Sequence, residues 1–448
     1  MNELREGTMD GATTLKPMSP KLAKVAELAR KDPQLRLRAL AHVIDEAALA
    51  HAFHRLRKDA AVGVDGITKE RYDENAAENI RSLHERMKTQ RYRHQPIRRV
   101  YIPKANGKKR PLGISCIEDK IVQSALTEVL TAIYEPVFMD CSYGFRPGRN
   151  AHEAIAALYT AASSGGAAWV LEADIEAFFD SIQRDLLMDM LRERIDDDSL
   201  LRIVGKCLHV GVIDGDEYSD PDSGTAQGSV LSPMLGNVYL HHVLDEWFKR
   251  EVQPRLHGKA TLVRYADDFA ISFANREDAE RVLQVLPRRF ERYGLRLNPD
   301  KTRLVPFRRP RGGTGSDDPG TFTFLGFTWF WARGKKGQWG IRVVTREGRM
   351  RSAIAAISEW CRRYRHHPVR EQHIGLKRRL QGHFNYFAVD GNSERVWTLR
   401  YRATRLWHKW LTRRSQRSRM TWTRFQVLLE AMPLPKPRMK NLLWSKAT

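Results

Sequence analysis

The stretch TLVRYADDFAIS, residues 261 to 272, sets two adjacent carboxylates, Asp267 and Asp268, between two apolar runs of β-favouring residues. Side chains alternate across a strand, so both acids can approach one point only where the chain turns. The segment therefore reads as a hairpin with the pair at its tip. Aspartate is a good turn residue, and a hairpin tip needs no chemistry to explain it. The second reading is a divalent cation held by clustered carboxylates, whose mutual repulsion the metal removes. That reading requires more acid nearby and a basic path for a polyanionic substrate.

Both are present elsewhere in the chain. VLEADIEAFFD begins as a buried strand, Val170 to Ala173, and ends it at Asp174, whose side chain can face the turn carrying Asp267 and Asp268. The 448 residues carry a formal net charge of +23 that is unevenly spread: residues 1–300 hold 43 Lys and Arg against 45 Asp and Glu, and residues 301–448 hold 33 against 8. Nine of the eleven tryptophans lie between Trp329 and Trp444, interleaved with that excess. Cations neutralise phosphates and aromatic rings stack on bases, so the last third suits a nucleic acid, although several of these tryptophans belong in a core.

A chain of this length implies two to four domains. Cys116, Cys141, Cys207 and Cys361 are far apart with no C-x-x-C pair to seat zinc or a redox couple, which implies a reduced, cytosolic protein. No stretch approaches the roughly 20 apolar residues of a membrane span, and MNELREGTMDGATTLKPMSPK lacks the apolar centre of a signal peptide. The expectation is a soluble protein with no membrane partner.

Along the chain, the first 20 residues read as disordered, and helices follow over 22–58, with a break near Pro33, and over 69–90. RRVYIPKANGKKRPLGI, residues 98–114, reads as a hairpin around Asn106-Gly107. Helices over 118–135 and 150–162 enclose the loop CSYGFRPGRN, and GTAQGSVLSPMLGNVYLHHVLDEWFKR is a Gly-rich turn running into a long helix. An amphipathic helix covers 276–293, FTFLGFTWFW is a strand, and the loop 309–320 marks a boundary. Beyond 346 the chain reads as helical until PLPKPR at 433–438. His241-His242 and His366-His367 lack partners at metal-ligand spacing and read as helix-surface residues; GDEYSD and IDDDS read as solvated acidic turns.

Two divalent ions held by three acids suit in-line phosphoryl transfer to a 3′-hydroxyl, which also needs cations on the triphosphate. Lys104 and Arg110 flank the Asn-Gly turn. A three-residue loop over 106–108 pairs them on one face, whereas a two-residue loop puts Lys104 opposite Lys109 and turns Arg110 away. Arg146 and Arg149, in the Gly/Pro loop, could clamp a template phosphate. The order of parts (basic hairpin, strand ending in Asp, Gly-rich turn and helix, Asp-Asp hairpin) is that of a right-hand polymerase palm.

With YADD at 265–268, AQGSVLSPMLGNVYLHHVLD, YIPKANGKKRPLGI, SYGFRPGRNAHEAI, GLRLNPDKT and FTFLGF, the chain resembles the reverse transcriptases encoded by bacterial group II introns. The likeness runs from about residue 60 to 330 in six motifs, and LKRRLQGHFNYFAVDGN at 376–392 is similar, more loosely, to the thumb and maturase region. It implies an α+β right-hand polymerase: an N-terminal extension and the start of the fingers over 1–95, fingers over 96–170, palm over 171–335, a helical thumb and maturase region over 336–411, and a basic DNA-binding tail over 412–448. It implies that Asp174, Asp267 and Asp268 bind two magnesium ions, that Lys104 and Arg110 contact the incoming dNTP, and that Gln227 lies against it. Phe179 matches the bulky residue that rejects a ribose 2′-hydroxyl, though beside Phe178 it also suits a core. Implied partners are the intron RNA, an RNA template with its DNA primer, and target DNA, in a bacterial ribonucleoprotein. Ala226 stands where the family commonly has Pro, and the ending at Thr448 without Cys pairs resembles endonuclease-less class C proteins.

Three functions compete. The first is RNA-templated DNA synthesis joined to intron binding, splicing and retrohoming; the second is the same enzyme recruited for host defence or DNA repair. The third is an RNA-binding splicing factor with a relic palm, against which the presence of all three acids argues. An RNA-templated RNA polymerase shares the palm, but Phe179 and the motif wording weigh against it.

Overall fold

A computed structural model of the protein describes residues 19–103, 109–164, 166–215, 217–219, 223–225, 228–310, 319–334, 336–415 and 420–442. The strands among them are β1 (Ile97–Pro103), β2 (Lys109–Ile114), β3 (Trp169–Asp174), β4 (Val212–Asp214), β5 (Glu217–Ser219), β6 (Ala260–Tyr265), β7 (Asp268–Phe273), β8 (Arg303–Pro306), β9 (Phe322–Phe324), β10 (Phe327–Arg333) and β11 (Trp339–Thr345). Three sheets form, ordered β2-β1-β4-β5, β6-β7-β3-β8 and β11-β10-β9. The opening segment and Lys104 to Lys108 lie outside the described residues, as do Ala226, Gln227 and most of the 309–320 loop.

The N-terminal helices start where side chains cap them. Ser19 accepts from the Leu22 N–H ahead of Pro20–Lys31, Asp45 accepts from Ala48 ahead of Glu46–Arg55, and Thr68 accepts from Arg71 ahead of Lys69–Asp73. Pro20–Lys31 and Glu46–Arg55 pack on the helix Ile117–Tyr134, which is buried along most of its length, the polar Asp119 and Gln123 included. IDDDS is not merely solvated: Asp196 pairs with Arg36 and Arg38, and Asp197 accepts from Leu40, Ala41 and Leu200.

The central antiparallel sheet is covered on both faces, which explains why β3, β6 and β7 are almost continuously apolar. Leu171, Ala173, Leu262, Phe269 and Ile271 join the main core with the helices, while Val170, Val263, Ala270 and Val305 pack toward the helix Ala151–Ser163 and the third sheet. The last third adds helices Glu347–Arg363, Val369–Phe387, Ser393–Thr412 and Trp422–Ala431 around a core of Leu376, Leu380, Trp407 and Phe425. Trp329 and Trp407 are fully buried and structural.

Four expectations need correction. β1 and β2 pair Pro103 with Lys109 and Ile102 with Arg110, so five residues join them and neither expected register forms. FTFLGFTWFW is two strands around a tight turn in which Leu325 and Gly326 have φ of +50° and +80°. β11 was not expected, and it pairs with β10 over seven residues across the 335/336 boundary. His241 is buried on a π-helical turn, His241–Glu246, rather than at a helix surface, and burial lowers its pKa to about 3.

Candidate active site

The β3–β7 ladder puts Asp174 directly opposite Asp268, and β6–β7 puts Tyr265 opposite Asp268 on the other side. Opposite residues on paired antiparallel strands share a face, so Tyr265, Asp268 and Asp174 form one row at the end of the sheet. Ala266 and Asp267 make the connecting turn, with Ala266 at φ +56°. The acids expected together at a hairpin tip thus divide: Asp267 lies in the turn and Asp268 opens the strand.

Burial pushes the Asp268 carboxyl up to about 7, and the charges of Asp267, Asp174 and Glu172 push the same way against the Leu325 N–H, which donates at 3.4 Å. Asp267 is raised by burial and by Asp174, with Arg110 and Lys301 opposing. The corner therefore favours positive charge. One cation is already there: Lys301 Nζ donates to Asp174 Oδ2 at 2.8 Å, brought by the GLRLNPDKT segment, whose Asn298 N–H bonds the Asp174 carbonyl. Among the described residues no three His, Cys, Asp or Glu side chains already close around a single metal-sized point.

Arg264 holds the turn from beneath. Its guanidinium is fully buried; Nε and Nη2 reach the two Asp245 oxygens at 2.8 and 2.5 Å, and Nη1 reaches Asn237 Oδ1 at 3.0 Å and the Ala266 carbonyl at 3.2 Å. Nη2 also donates to Ser142 Oγ at 2.8 Å. Asp245 and Asn237 come from the helical segment after the Gly-rich turn, and Ser142 from the SYGFRPGRN loop, so two segments lock onto the hairpin.

Phe178 is buried and Phe179 half-buried, with ring centroids 5.1 Å apart. The Phe179 carbonyl accepts from Thr225 N–H at 2.7 Å, and a β-carbon on Gly236 would lie 3.3 Å from the Phe179 ring. Gly228, at φ +110°, abuts the backbone of Gly113 in β2, and a β-carbon there would lie 2.7 Å from the Gly113 carbonyl oxygen. Phe179, the Gly-rich turn and the basic hairpin therefore meet. Lys104 and Gln227 lie outside the described residues, while Arg110 is within electrostatic reach of Asp267.

Arg146 is not free to clamp a template phosphate. It is buried, with its guanidinium bonded to both Glu135 oxygens and to the carbonyls of Met139 and Ser142. Arg149 is partly exposed, pairs with Asp140 at 2.6 Å and covers the Tyr143 ring. Lys301 and Arg264 were missed as functional residues; the one signal for Lys301 was its place in GLRLNPDKT.

Residues 102–329 match the family described as Reverse transcriptase (RNA-dependent DNA polymerase), so the fold is that of a polymerase. The chain belongs to the reverse transcriptase family. Protein YkfC of Escherichia coli (strain K12) is 32% identical over 364 residues, 72% of this chain and 90% of that protein. Group II intron-encoded protein LtrA of Lactococcus lactis subsp. cremoris is 38% identical over 193 residues, 43% of this chain and 32% of LtrA. Nuclear intron maturase 1, mitochondrial, of Arabidopsis thaliana is 29% identical over 91 residues, 20% of this chain and 12% of that protein. Among the described residues no helix is long and apolar enough to cross a membrane.

Proposed function

We propose that the chain is an RNA-directed DNA polymerase that also binds its group II intron RNA as a maturase, assisting splicing and copying the intron during retrohoming. The observation that carries this reading is the row of Asp174 and Asp268 across β3 and β7 with Asp267 in the adjoining turn. In it the central sheet is the palm, β1 and β2 belong to the fingers, and the helices after β11 are the thumb and maturase region.

The donor set suits two magnesium ions: hard carboxylate oxygens, neighbouring like charges that raise the pKa of Asp267 and Asp268, and an ammonium already drawn to Asp174. Magnesium bound there would acidify the primer 3′-hydroxyl and neutralise charge on the departing pyrophosphate. Arg110, with Lys104 and Gln227, would orient the dNTP triphosphate, and Phe179 would fill the space a 2′-hydroxyl needs. The helix Ser393–Thr412 supports an RNA partner: Trp397 and Tyr401 are exposed one turn apart, Arg400 covers the Trp397 ring, and Arg402, Arg405 and Lys409 extend the exposed face. The same basic third would meet target DNA.

The test is primer extension on an annealed RNA template with dNTPs and magnesium. DNA synthesis by the intact chain that disappears in Asp267→Ala is expected; synthesis that persists in the variant, or no synthesis by the intact chain, overturns the proposal.

A further inference from the structure

The SYGFRPGRN loop is fastened on both sides of one residue. Tyr143 N–H bonds the Arg264 carbonyl at 2.9 Å, and the Gly144 carbonyl accepts from Asn237 Nδ2 at 2.7 Å. Gly144 has no room for a side chain, since a β-carbon would lie 2.4 Å from the Ala266 nitrogen, and Arg146 is the buried anchor described above. Between them Phe145 is 51% exposed and has φ +57°.

Both features of Phe145 act against stability. The left-handed backbone is costly for any residue with a β-carbon, and Phe lacks the local hydrogen bonding that lets Asn adopt it. An exposed ring recovers little by burial. Strain that packing does not explain gathers where a chain meets its ligand. The ring's neighbour is Tyr265, with centroids 6.3 Å apart, and Tyr265 lies opposite Asp268.

We propose that Phe145 and Tyr265 form an aromatic ledge on which the nucleotide at the primer 3′ terminus rests, beside Asp174, Asp267 and Asp268. The inference rests on the polymerase reading and deepens it. Phe179 and the Gly-rich turn border the space assigned to the incoming dNTP, whereas Phe145 reaches the carboxylates by way of the hairpin's own tyrosine. The nucleotide on that side is the one bearing the attacking hydroxyl. Arg146, which the sequence offered as the contact, serves to present its neighbour.

The test uses the full chain with Phe145→Asn and Phe145→Tyr. Asn suits the left-handed backbone, so its thermal midpoint should equal or exceed that of the parent, while affinity for a primer–template duplex, read by fluorescence anisotropy, falls about tenfold. Phe145→Tyr should keep parental affinity. With an abasic residue at the primer 3′ terminus, parent and Phe145→Asn should bind equally. Unchanged affinity in Phe145→Asn, or a thermal midpoint that falls in step with binding, overturns the ledge. A difference erased by an abasic template position instead overturns the assignment to the primer. Because binding is read without catalysis, failure of the ledge is distinct from failure of the polymerase reading, which shows as no extension by the parent.

Discussion

Arg264→Leu should be the most damaging single substitution near the hairpin that leaves the three acids intact. It removes the guanidinium paired with Asp245, which has no solvent exposure, and leaves Asn237 Oδ1 and the Ala266 carbonyl short of a donor. Breaking a buried ion pair from one side costs about 3–5 kcal/mol, and each buried acceptor left unmatched adds about 1 kcal/mol, so about 5–7 kcal/mol is expected. Replacing both partners by apolar groups removes the stranded charge, so Arg264→Leu with Asp245→Leu should cost at least ~2 kcal/mol less than Arg264→Leu alone. Arg264→Lys keeps the charge but not the planar fork that reaches three segments at once, and should fall between parent and Leu. Urea unfolding followed by tryptophan fluorescence measures all five proteins, Asp245→Leu alone included. A cost below ~1 kcal/mol for Arg264→Leu, or a double variant whose cost is the sum of the singles, would refute the reasoning.

The pH dependence of stability should change in Asp119→Asn. Burial raises the Asp119 carboxyl to about 7, although it accepts from Tyr92 and Gln95, so the folded state binds its proton more tightly than the unfolded chain and this group withdraws up to ~4 kcal/mol as pH rises from about 4 to 7. His94, buried and lowered to about 4, acts oppositely by holding fewer protons when folded, so stability rises through the same window. The parent should be flatter than Asp119→Asn between pH 4.5 and 6.5 (roughly the span where both act), and parallel unfolding curves for the two proteins would count against the assignment. Phe179→Ala should admit ribonucleotides, lowering dNTP-over-NTP selectivity in primer extension by tens- to about a hundredfold; unchanged selectivity would make the ring merely core. Gly228→Ala must force the Gly-rich turn away from Gly113, and should raise KM for dNTPs more than it lowers primer–template affinity.

What was legible in the sequence was what chemistry or periodicity restricts. Asp174, Asp267 and Asp268 could be placed because a strand ending in acid and an acid pair at a turn have few ways to meet, and the helices over 118–135 and 276–293 announced themselves by apolar spacing. The hairpin register failed because Asn106-Gly107 marks a turn without setting how many residues it spans. Leu325 at a left-handed position contradicts its own preference, so FTFLGFTWFW looked continuous. β11 was hidden because WGIRVVT follows a basic loop and owes its state to seven pairings with β10.

Arg146 and Arg264 show why supporting residues were harder to read than reacting ones. A guanidinium in a Gly/Pro loop and one before YADD look equally available in sequence, yet each is buried by partners set in three dimensions: Glu135 and loop carbonyls for the first, Asp245 and Asn237 for the second. The need for such anchors follows from the site itself. Neighbouring like charges, which raise the pKa of Asp267 and Asp268, push the turn apart, and Ala266 is held at an unfavourable φ, so the hairpin must be fixed from its buried side. An apolar residue could fill the space of Arg264, but it could not hold the Ala266 carbonyl while joining the helix and the SYGFRPGRN loop to the same point. The buried charge is thus the counterpart of the clustered acids, and Arg264→Leu should disturb the carboxylate row even in the fraction that remains folded.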